Sequence, residues 1–372
     1  MNEPLLPAYG SGSLSDVLPS IGAQLGLPGC RQDVLGLPPG QRWVVLLIDG
    51  LGWHPIQSAL AATPFLAASI GHGSRITAGI PSTTVTSLTS LGTGLPPGLH
   101  GVAGLTLRNP GTGKIFCPLS WDTTTAPQDF QPLPTIFERA RAEQVVVTSV
   151  LPMRFENSGL TMAGLRGGLF EPVVDETDDE EKIRLTVAAA ARGERSLVYL
   201  YDRWLDHAGH LSGIASDHWY QRLLQIDAFV AELRDRLPDD TRLVVTGDHG
   251  MVDVPEDHRI VIEDQPDLLA DVDLIGGEAR MRQLYTDHPE AVAARWAQRL
   301  GDLAWVRTRQ QAVAEGWFGK LAPRVAGRFG DVVVAMRDDW AVLTHELSGE
   351  FSLVGMHGSL TAPELEIPLI VE

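Results

Sequence analysis

Three unbroken apolar runs in the chain each lead into acidic or histidine residues. The runs and the polar residues that follow them are 43–48 with Asp49, 196–201 with Asp206 and His210, and 242–246 with Asp248 and His249. Apolar runs without alternation are typical of strands buried on both faces of a parallel sheet. Ligands of open α/β sheets bind at the carboxyl ends of the strands. The pattern therefore predicts a parallel sheet with reactive side chains gathered at one edge.

Predicted helices alternate with these strands. The helices are predicted at 14–25, 55–70, 135–144, 180–192 and 215–237, and two further strands at 145–150 and 366–371. Alternation of strands and helices favours an α/β fold, namely a layered three-layer α/β/α sandwich.

The pattern changes between residues 263 and 350, which contain no Asp–His cluster. Strand-like segments lie at 281–286, 303–308, 331–336 and 340–344, and short helices are predicted at 290–300 and 310–315. We interpret 263–350 as a small inserted α+β cap subdomain. Residues 1–262 and 351–372 would then form the catalytic domain.

Length and composition limit the class of protein. The chain has 372 residues, of which 44% are hydrophobic, enough for one large core. Its net charge of −18 argues against duplex nucleic acid as a partner, because no basic surface is available to neutralise phosphates. Cys30 and Cys117 do not make a disulfide framework.

Neither a signal peptide nor a membrane span is predicted. The first residues lack a basic region followed by an apolar run, and no apolar run approaches the roughly 18 residues that a membrane span requires. We therefore expect a soluble, cytoplasmic protein that does not act at a membrane. The oligomeric state is left open.

The polar residues at the strand ends are suited to divalent metals. Carboxylate oxygen and imidazole nitrogen without thiolate favour Zn²⁺ or Mn²⁺, and a pair of such ions binds phosphoryl groups. The candidate ligands are Asp49, Asp206, His210, Asp248, His249 and His357. A tight loop or single turn at DHAGH could direct Asp206 and His210 at one ion. Each segment also has an ordinary interpretation, since Asp-Gly is a common turn and DHAGH can be a solvated polar loop. His207 fits that ordinary interpretation.

Thr84 is the candidate nucleophile. It lies in the segment PSTTVTS, just before a helix predicted to begin near Val85. A helix N-terminus directs free N–H groups at an anion, and coordination to a metal lowers the pKa of a threonine hydroxyl. For Thr83 and Thr86 an ordinary N-cap role is favoured instead.

These motifs together resemble the nucleotide pyrophosphatase/phosphodiesterase family of the alkaline phosphatase superfamily. The family's nucleophile segment, P-T-x-T followed by T-G and then H-G, matches residues 81–84, 93–94 and 100–101. Its D-x-x-G-H, D-H-G-M and late histidine match 206–210, 248–251 and His357. The resemblance extends over most of the chain from Trp43 onward.

The resemblance implies a covalent phosphothreonine at Thr84 and two metal sites. The metal that activates the nucleophile would be held by Asp49, Thr84, Asp248 and His249, and the metal that activates water by Asp206, His210 and His357. The chain departs from the family at two places: Val85-Thr86-Ser87 replaces the usual Phe-Pro-Asn, and Leu105 replaces an Asn that hydrogen-bonds a phosphoryl oxygen.

The expected function is therefore a two-metal phosphoric ester hydrolase of the phosphodiesterase or nucleotide pyrophosphatase type, acting on a small phosphate ester or nucleotide-like substrate. Zn²⁺ is the expected metal, with Mn²⁺ as the alternative. A phosphomonoesterase or phosphonate hydrolase of the same superfamily is the first alternative function. A catalytically silent protein that binds a phospholigand is the second.

Overall fold

The structure is a computed structural model that describes residues 3–71, 73–122 and 124–372. Its strands, in chain order, are β1 (Arg42–Ile48), β2 (Ser74–Thr77), β3 (Leu107–Asn109), β4 (Lys114–Phe116), β5 (Val146–Pro152), β6 (Leu169–Val173), β7 (Ser196–Asp202), β8 (Thr241–Thr246), β9 (Val252–Asp253), β10 (Arg259–Val261), β11 (Leu274–Glu278), β12 (Met281–Tyr285), β13 (Ala304–Thr308), β14 (Val332–Met336), β15 (Ala341–Leu343), β16 (Gly355–Met356) and β17 (Glu366–Val371).

The α-helices lie between these strands. They are α1 (Val17–Gln24), α2 (Trp53–Ala59), α3 (Pro64–Ile70), α4 (Thr84–Thr93), α5 (Pro97–His100), α6 (Pro127–Phe130), α7 (Ile136–Ala142), α8 (Gly159–Gly164), α9 (Asp179–Ala190), α10 (Trp204–Ser212), α11 (Asp217–Arg236), α12 (Pro266–Leu269), α13 (Pro289–Leu300), α14 (Arg309–Ala314) and α15 (Ala362–Leu365).

The central sheet has seven strands in the order β2-β17-β8-β1-β7-β5-β6. Strands β8, β1, β7, β5 and β6 are parallel, and β17 pairs antiparallel with both β8 and β2. The predicted α/β fold with a largely parallel sheet is confirmed.

Successive residues of β1 enter cores on opposite faces of the sheet. Val45 and Leu47 pack with residues of α1, α4 and α7. Val44 and Leu46 pack with residues of α9 and α11. Because side chains alternate across a strand, an uninterrupted apolar run supplies both cores at once. The chain therefore forms three layers, helix, sheet and helix.

A second sheet is built from antiparallel strands in the order β11-β12-β14-β13. On one of its faces Leu284 and Val334 pack with Trp296 of α13. On the other, Met281 and Val333 join the core beneath the central sheet. This sheet lies within the segment interpreted as an inserted unit, and the boundaries of that unit stay a prediction.

Three sequence predictions differ from the structure in detail. The helix predicted at 55–70 is divided into α2, a 3₁₀ turn and α3, with Pro64 at the first position of α3, where proline's missing N–H costs nothing. The strand predicted at 340–344 is β15, which is shorter by one residue at each end and pairs with β10. The DHAGH segment is neither a loop nor a single turn but part of the nine-residue helix α10.

Register brings the carboxyl ends of β1, β7 and β8 to the same level. Ile48 of β1 is opposite Asp202 of β7, and Leu47 is opposite Thr246 of β8. The Asp49 N–H continues the ladder by donating to the Asp202 carbonyl over 2.8 Å. No helix among the described residues is both long enough and apolar enough to cross a membrane.

Candidate active site

Glycines allow the loops after β1 and β8 to approach one another closely. Gly50 has φ of +75°, and a Cβ there would lie 2.9 Å from Asp206 Cα at the start of α10. A Cβ on Gly52 would lie 2.7 Å from Gly250 Cα. A side chain at either position would displace backbone rather than a flexible side chain. These glycines thus allow the loops that bear Asp49 and Asp248, and the start of α10, to pack closely together.

Asp206, His210 and His357 form one group of candidate ligands, whose facing atoms lie within 4.8 Å of one another. Asp206 and His210 are one helical turn apart on α10, and His210 Nε2 is 3.3 Å from Asp206 Oδ1. His357 Nε2 is 3.9 Å from the same oxygen. The spacing of four residues therefore places both α10 side chains on one face of a helix, while His207 is exposed.

The three histidines share one anchoring pattern, in which Nδ1 faces a backbone carbonyl. The Nδ1–carbonyl pairs are His210 with Gly355 at 2.8 Å, His249 with Gly250 at 3.0 Å, and His357 with Ser82 at 2.9 Å. Since a carbonyl only accepts, Nδ1 carries the proton in each ring. Nε2 is then left with its lone pair free, which is how metal-ligating histidines are usually held.

A second group consists of Asp49, Asp206 and His249, again with atoms within 4.8 Å of one another. Asp206 therefore belongs to both groups. Asp248 Oδ2 lies 3.5 Å from His249 Nε2, while Asp248 Oδ1 accepts bonds of 3.0 Å from the Gly50 and His249 N–H groups. The structure thus brings together all six candidate ligands, and it places Asp206 between the two groups.

The charges of this site are unbalanced without cations. Burial, with the nearby Asp248 and Asp206, raises the pKa of Asp49 well above its usual range, and burial also raises the pKa of Asp248. Burial, together with His249 and His210, lowers the pKa of His357 well below its usual range. Asp206 Oδ1 and Asp248 Oδ2 are buried without a hydrogen-bond partner. Orphaned carboxylate oxygens and free imidazole nitrogens fit divalent cations.

Thr84 is the first residue of α4, and its hydroxyl faces the second group. Thr84 Oγ1 lies 3.5 Å from both carboxylate oxygens of Asp49 and 3.3 Å from His249 Nε2. The first N–H bonded within the helix is that of Ser87, which donates to the Thr83 carbonyl. The N–H groups of the first turn are therefore directed towards the position where an anion would bind.

Thr83 and Thr86 do not face the candidate ligands. Thr83 occupies the N-cap position of α4 but makes no capping bond through its side chain. Thr86 Oγ1 donates to the Val102 carbonyl over 3.2 Å. Only Thr84 of this segment therefore has its hydroxyl within 3.5 Å of Asp49 and His249.

A cavity of about 470 Å³ opens over Thr84. Val85 and Leu105, at the two positions where the chain departs from the family pattern, both contribute to its wall. An adjoining cavity of about 290 Å³ is lined largely by apolar groups and shares Thr84 and Phe155 with the first. The cavity wall beside Thr84 is thus apolar at Val85 and Leu105.

Sequence analysis did not identify Tyr201 and Glu278, both of which line this cavity. The Tyr201 hydroxyl donates to Asp49 Oδ2. The sequence could have indicated Tyr201, because Tyr199 and Tyr201 are two residues apart near the end of a buried strand and their side chains must lie on the same face of the sheet. Glu278 is the last residue of β11. It lies far from the other motifs in sequence, and no neighbouring residue pattern indicates a functional role.

The cavity also contains Arg154 and Arg203, which both pair with Glu176. Burial raises the pKa of Glu278 to about 8. The two arginines therefore share one carboxylate, which leaves one positive charge uncompensated, and Glu278 forms no ion pair among the described residues.

Comparison with protein families agrees with this geometry. Residues 43–360 match the type I phosphodiesterase / nucleotide pyrophosphatase family. The chain belongs to this family of metal-dependent hydrolases, which act on phosphoester or anhydride bonds. The resemblance inferred from the motifs is confirmed. No curated protein matches the chain at a significant level.

Solved structures share the fold at low sequence identity. Murine ectonucleotide pyrophosphatase / phosphodiesterase 5 superposes with a TM-score of 0.71 and 18% identity, covering 88% of this chain and 87% of that chain. An inactive threonine-to-alanine variant of that protein, in complex with AMP, superposes with a TM-score of 0.70 and 17% identity, covering 88% of this chain and 87% of that chain. Phosphonoacetate hydrolase from Sinorhizobium meliloti 1021, in complex with phosphonoformate, superposes with a TM-score of 0.68 and 20% identity, and the match covers 90% of each chain.

Proposed function

We propose that the protein is a two-metal phosphodiesterase in which Thr84 is the nucleophile and a phosphothreonine is the intermediate. The observation that supports this most strongly is the position of Thr84 Oγ1, at the start of α4 and within 3.5 Å of Asp49 and His249. A hydroxyl at a helix N-terminus, beside candidate metal ligands, can attack a phosphorus atom bound at the same place.

The ligand groups would hold two cations, one beside Asp49, Asp248 and His249 and the other beside His210 and His357, with Asp206 close to both. When bound, the cations would supply Lewis-acid charge to the phosphoryl oxygens and lower the pKa of the nucleophile. The donor set favours Zn²⁺, with Mn²⁺ as the alternative.

The chain's own residues would act in two stages. Thr84 Oγ1 forms a bond to phosphorus while the bond to the leaving alcohol breaks. Water then displaces Thr84 and releases the phosphate monoester. The first-turn N–H groups of α4 would hold a phosphoryl oxygen throughout, in place of the Asn that is Leu105 here. Tyr201 would keep Asp49 oriented through its hydrogen bond.

The apolar wall beside Thr84 argues against carrying nucleotide specificity over from relatives. Leu105 and Val85 offer no hydrogen bond from their side chains, so these two positions give no support for a nucleotide as the substrate. A phosphomonoesterase or phosphonate hydrolase remains the alternative. The silent-binder alternative is disfavoured, because nucleophile and ligands converge in one cavity. A cytoplasmic location stays a prediction from the sequence.

A panel of chromogenic esters tests this proposal. Stripped protein is supplied with Zn²⁺, Mn²⁺ or Mg²⁺ and assayed with matched 4-nitrophenyl monoesters, diesters and phosphonates. We expect diesters to have the highest kcat/KM, and acid quenching during turnover of a diester to trap on Thr84 the phosphoryl group that still carries the second ester group. A preference of about tenfold for monoesters, which corresponds to 1.4 kcal/mol, would select the alternative. Binding without turnover of any ester would select the silent binder.

A further inference from the structure

Two glutamates on the wall of the main cavity are not used by the proposed mechanism. Glu278 and Glu350 both line the cavity, with 4% and 6% of their surfaces exposed. The Oε1 atom of each is buried without a hydrogen-bond partner. Among the described residues, Asp206, Asp248 and Glu263 also have buried carboxylate oxygens without a partner, and the first two belong to the candidate metal ligands. Arg282 Nη1, beside Glu350, is a buried donor without a partner. The two glutamates therefore mark another position where a ligand is to be expected.

Glu278 lies between the neighbours of two candidate site residues. Its carboxylate interacts with the side chain of Thr83, next to Thr84. A Cβ on Gly358, next to His357, would lie 2.8 Å from Glu278 Cγ and 3.3 Å from Glu278 Oε1. The carboxylate is thus packed against the catalytic surface, within a short chain of the position proposed for the phosphoryl group.

The charges around the two glutamates do not balance. Arg282 donates to Glu350 Oε2 and to the Val342 carbonyl, so one arginine compensates one glutamate. Arg154 and Arg203, which also line the cavity, share the single carboxylate of Glu176, so that cluster keeps one positive charge. The group of Glu278, Glu350 and Arg282 carries one uncompensated carboxylate when both glutamates are ionised.

We propose that Glu278 and Glu350 form a subsite for a hydrogen-bond-donating cation on the substrate, a primary or secondary ammonium carried on a short chain from the phosphoryl group. An ammonium offers hydrogen bonds to both orphan oxygens and brings the net charge of the subsite to zero, whereas a hydroxyl leaves the negative charge uncompensated. An anionic substituent would be repelled. Burial raises the pKa of Glu278, so its ionised form is stabilised by a cation placed beside it. This inference rests on the proposed function.

The test compares 4-nitrophenyl phosphodiesters whose second ester group is 3-aminopropyl, 3-hydroxypropyl or butyl, on metal-loaded protein. We expect kcat/KM for the aminopropyl ester to exceed the butyl value by about tenfold, as for a charge-assisted hydrogen bond in a buried site. In Glu278→Gln the ratio of kcat/KM for the aminopropyl ester to kcat/KM for the butyl ester should fall close to one. Glu346→Gln removes the same charge from an exposed position nearby and should keep the ratio. An equal preference for the hydroxypropyl ester would overturn the charge argument.

Binding provides a second measurement that does not need turnover. Calorimetric titration of metal-loaded protein with 3-aminopropylphosphonate and butylphosphonate should show tighter binding of the former, and Glu278→Gln should abolish the difference. Turnover of diesters without an ammonium preference would overturn the subsite and leave the proposed function standing. An ammonium preference in binding, with no turnover of any ester, would support the subsite and overturn the proposed function. A third metal, lost in Glu278→Gln by elemental analysis, would also overturn the subsite.

Discussion

The imidazole rings of His249 and His357 are stacked, with 3.6 Å between centroids and 13° between planes. The two histidines come from different ligand groups, one after β8 and the other after β16. Each is anchored by Nδ1 to a separate carbonyl. The two proposed metal positions therefore share a wall formed by the stacked rings. A substitution at one position is expected to alter metal binding at the other.

Thr84→Ala should abolish turnover of phosphodiesters while metal content and thermal stability stay close to those of the parent. The reason is that Thr84 is half-buried at the start of α4 and contributes a single hydroxyl to the cavity. Steady-state kinetics and elemental analysis provide the measurement. Thr83→Ala tests the register, since a larger loss in Thr83→Ala than in Thr84→Ala would contradict the assignment of the nucleophile.

His210→Ala and Asp206→Asn should differ in metal stoichiometry. His210 belongs to one ligand group only, whereas Asp206 lies within reach of both. We expect His210→Ala to retain about one ion per chain and Asp206→Asn to weaken the binding of both, since a neutral amide replaces the carboxylate. Elemental analysis after dialysis against a weak chelator measures this. Full occupancy in Asp206→Asn would show that the residue is not a shared ligand.

Tyr201→Phe should reduce kcat/KM by about tenfold or more, the usual cost of losing a group that orients a metal ligand. The Tyr201 hydroxyl bonds Asp49, and phenylalanine keeps the ring and its packing. Titration with the metal should show weaker binding at one of two positions. Phe155→Leu changes the same cavity without touching Asp49. An equal loss of metal affinity in both variants would mean that packing, not orientation, is responsible.

His100 should make the fold sensitive to acid. Its Nδ1 accepts from the Val102 N–H at 3.1 Å, so Nε2 donates to Ser90 Oγ at 2.9 Å. Burial, with Arg328 and Arg324, lowers its pKa to about 3. Neutral His100 therefore stabilises the fold above the unfolded pKa of about 6.5, and that contribution, on the order of a few kcal/mol, is lost as the pH falls from about 6.5 towards 3.

The free energy of unfolding, measured from pH 7 to pH 4, checks the role of His100. In His100→Gln the fall with pH should be shallower than in the parent, although the variant starts from lower stability. His218→Gln changes an exposed histidine and should keep the parent slope. Parallel curves for all three proteins would show that His100 is not the group responsible.

The sequence predicted β1, β5, β7, β8 and β17 of the central sheet, because these strands are largely apolar and buried on both faces. It did not predict β2 and β6, which are more polar and more exposed. Strand ends also made Asp49, Asp248 and His249 recognisable, since each follows such a run directly. The geometry of DHAGH was mistaken because glycine and histidine favour loops locally, whereas packing of α10 against α11 and β16 keeps the segment helical.

Glu278 and Tyr201 depend on long-range contacts that no local pattern reveals. Glu278 reaches the cavity because the antiparallel sheet packs onto the central core through Met281 and Val333. Its position therefore depends on how two sheets dock, and β11 itself was not predicted. Tyr201 could have been assigned a face, but not its partner, because the partner is fixed only by the register of β1 on β7.

The contact between Gly52 and Gly250 has a consequence for how the empty site responds to its own charge. The Gly50 N–H also donates to Asp248 Oδ1, and this bond between the two closely packed loops opposes any spreading that would relieve repulsion between the carboxylates. The remaining responses are uptake of a proton or uptake of a cation. Metal-free protein should therefore behave as a proton buffer near this site, and loading it with a divalent ion should release acid into the solvent.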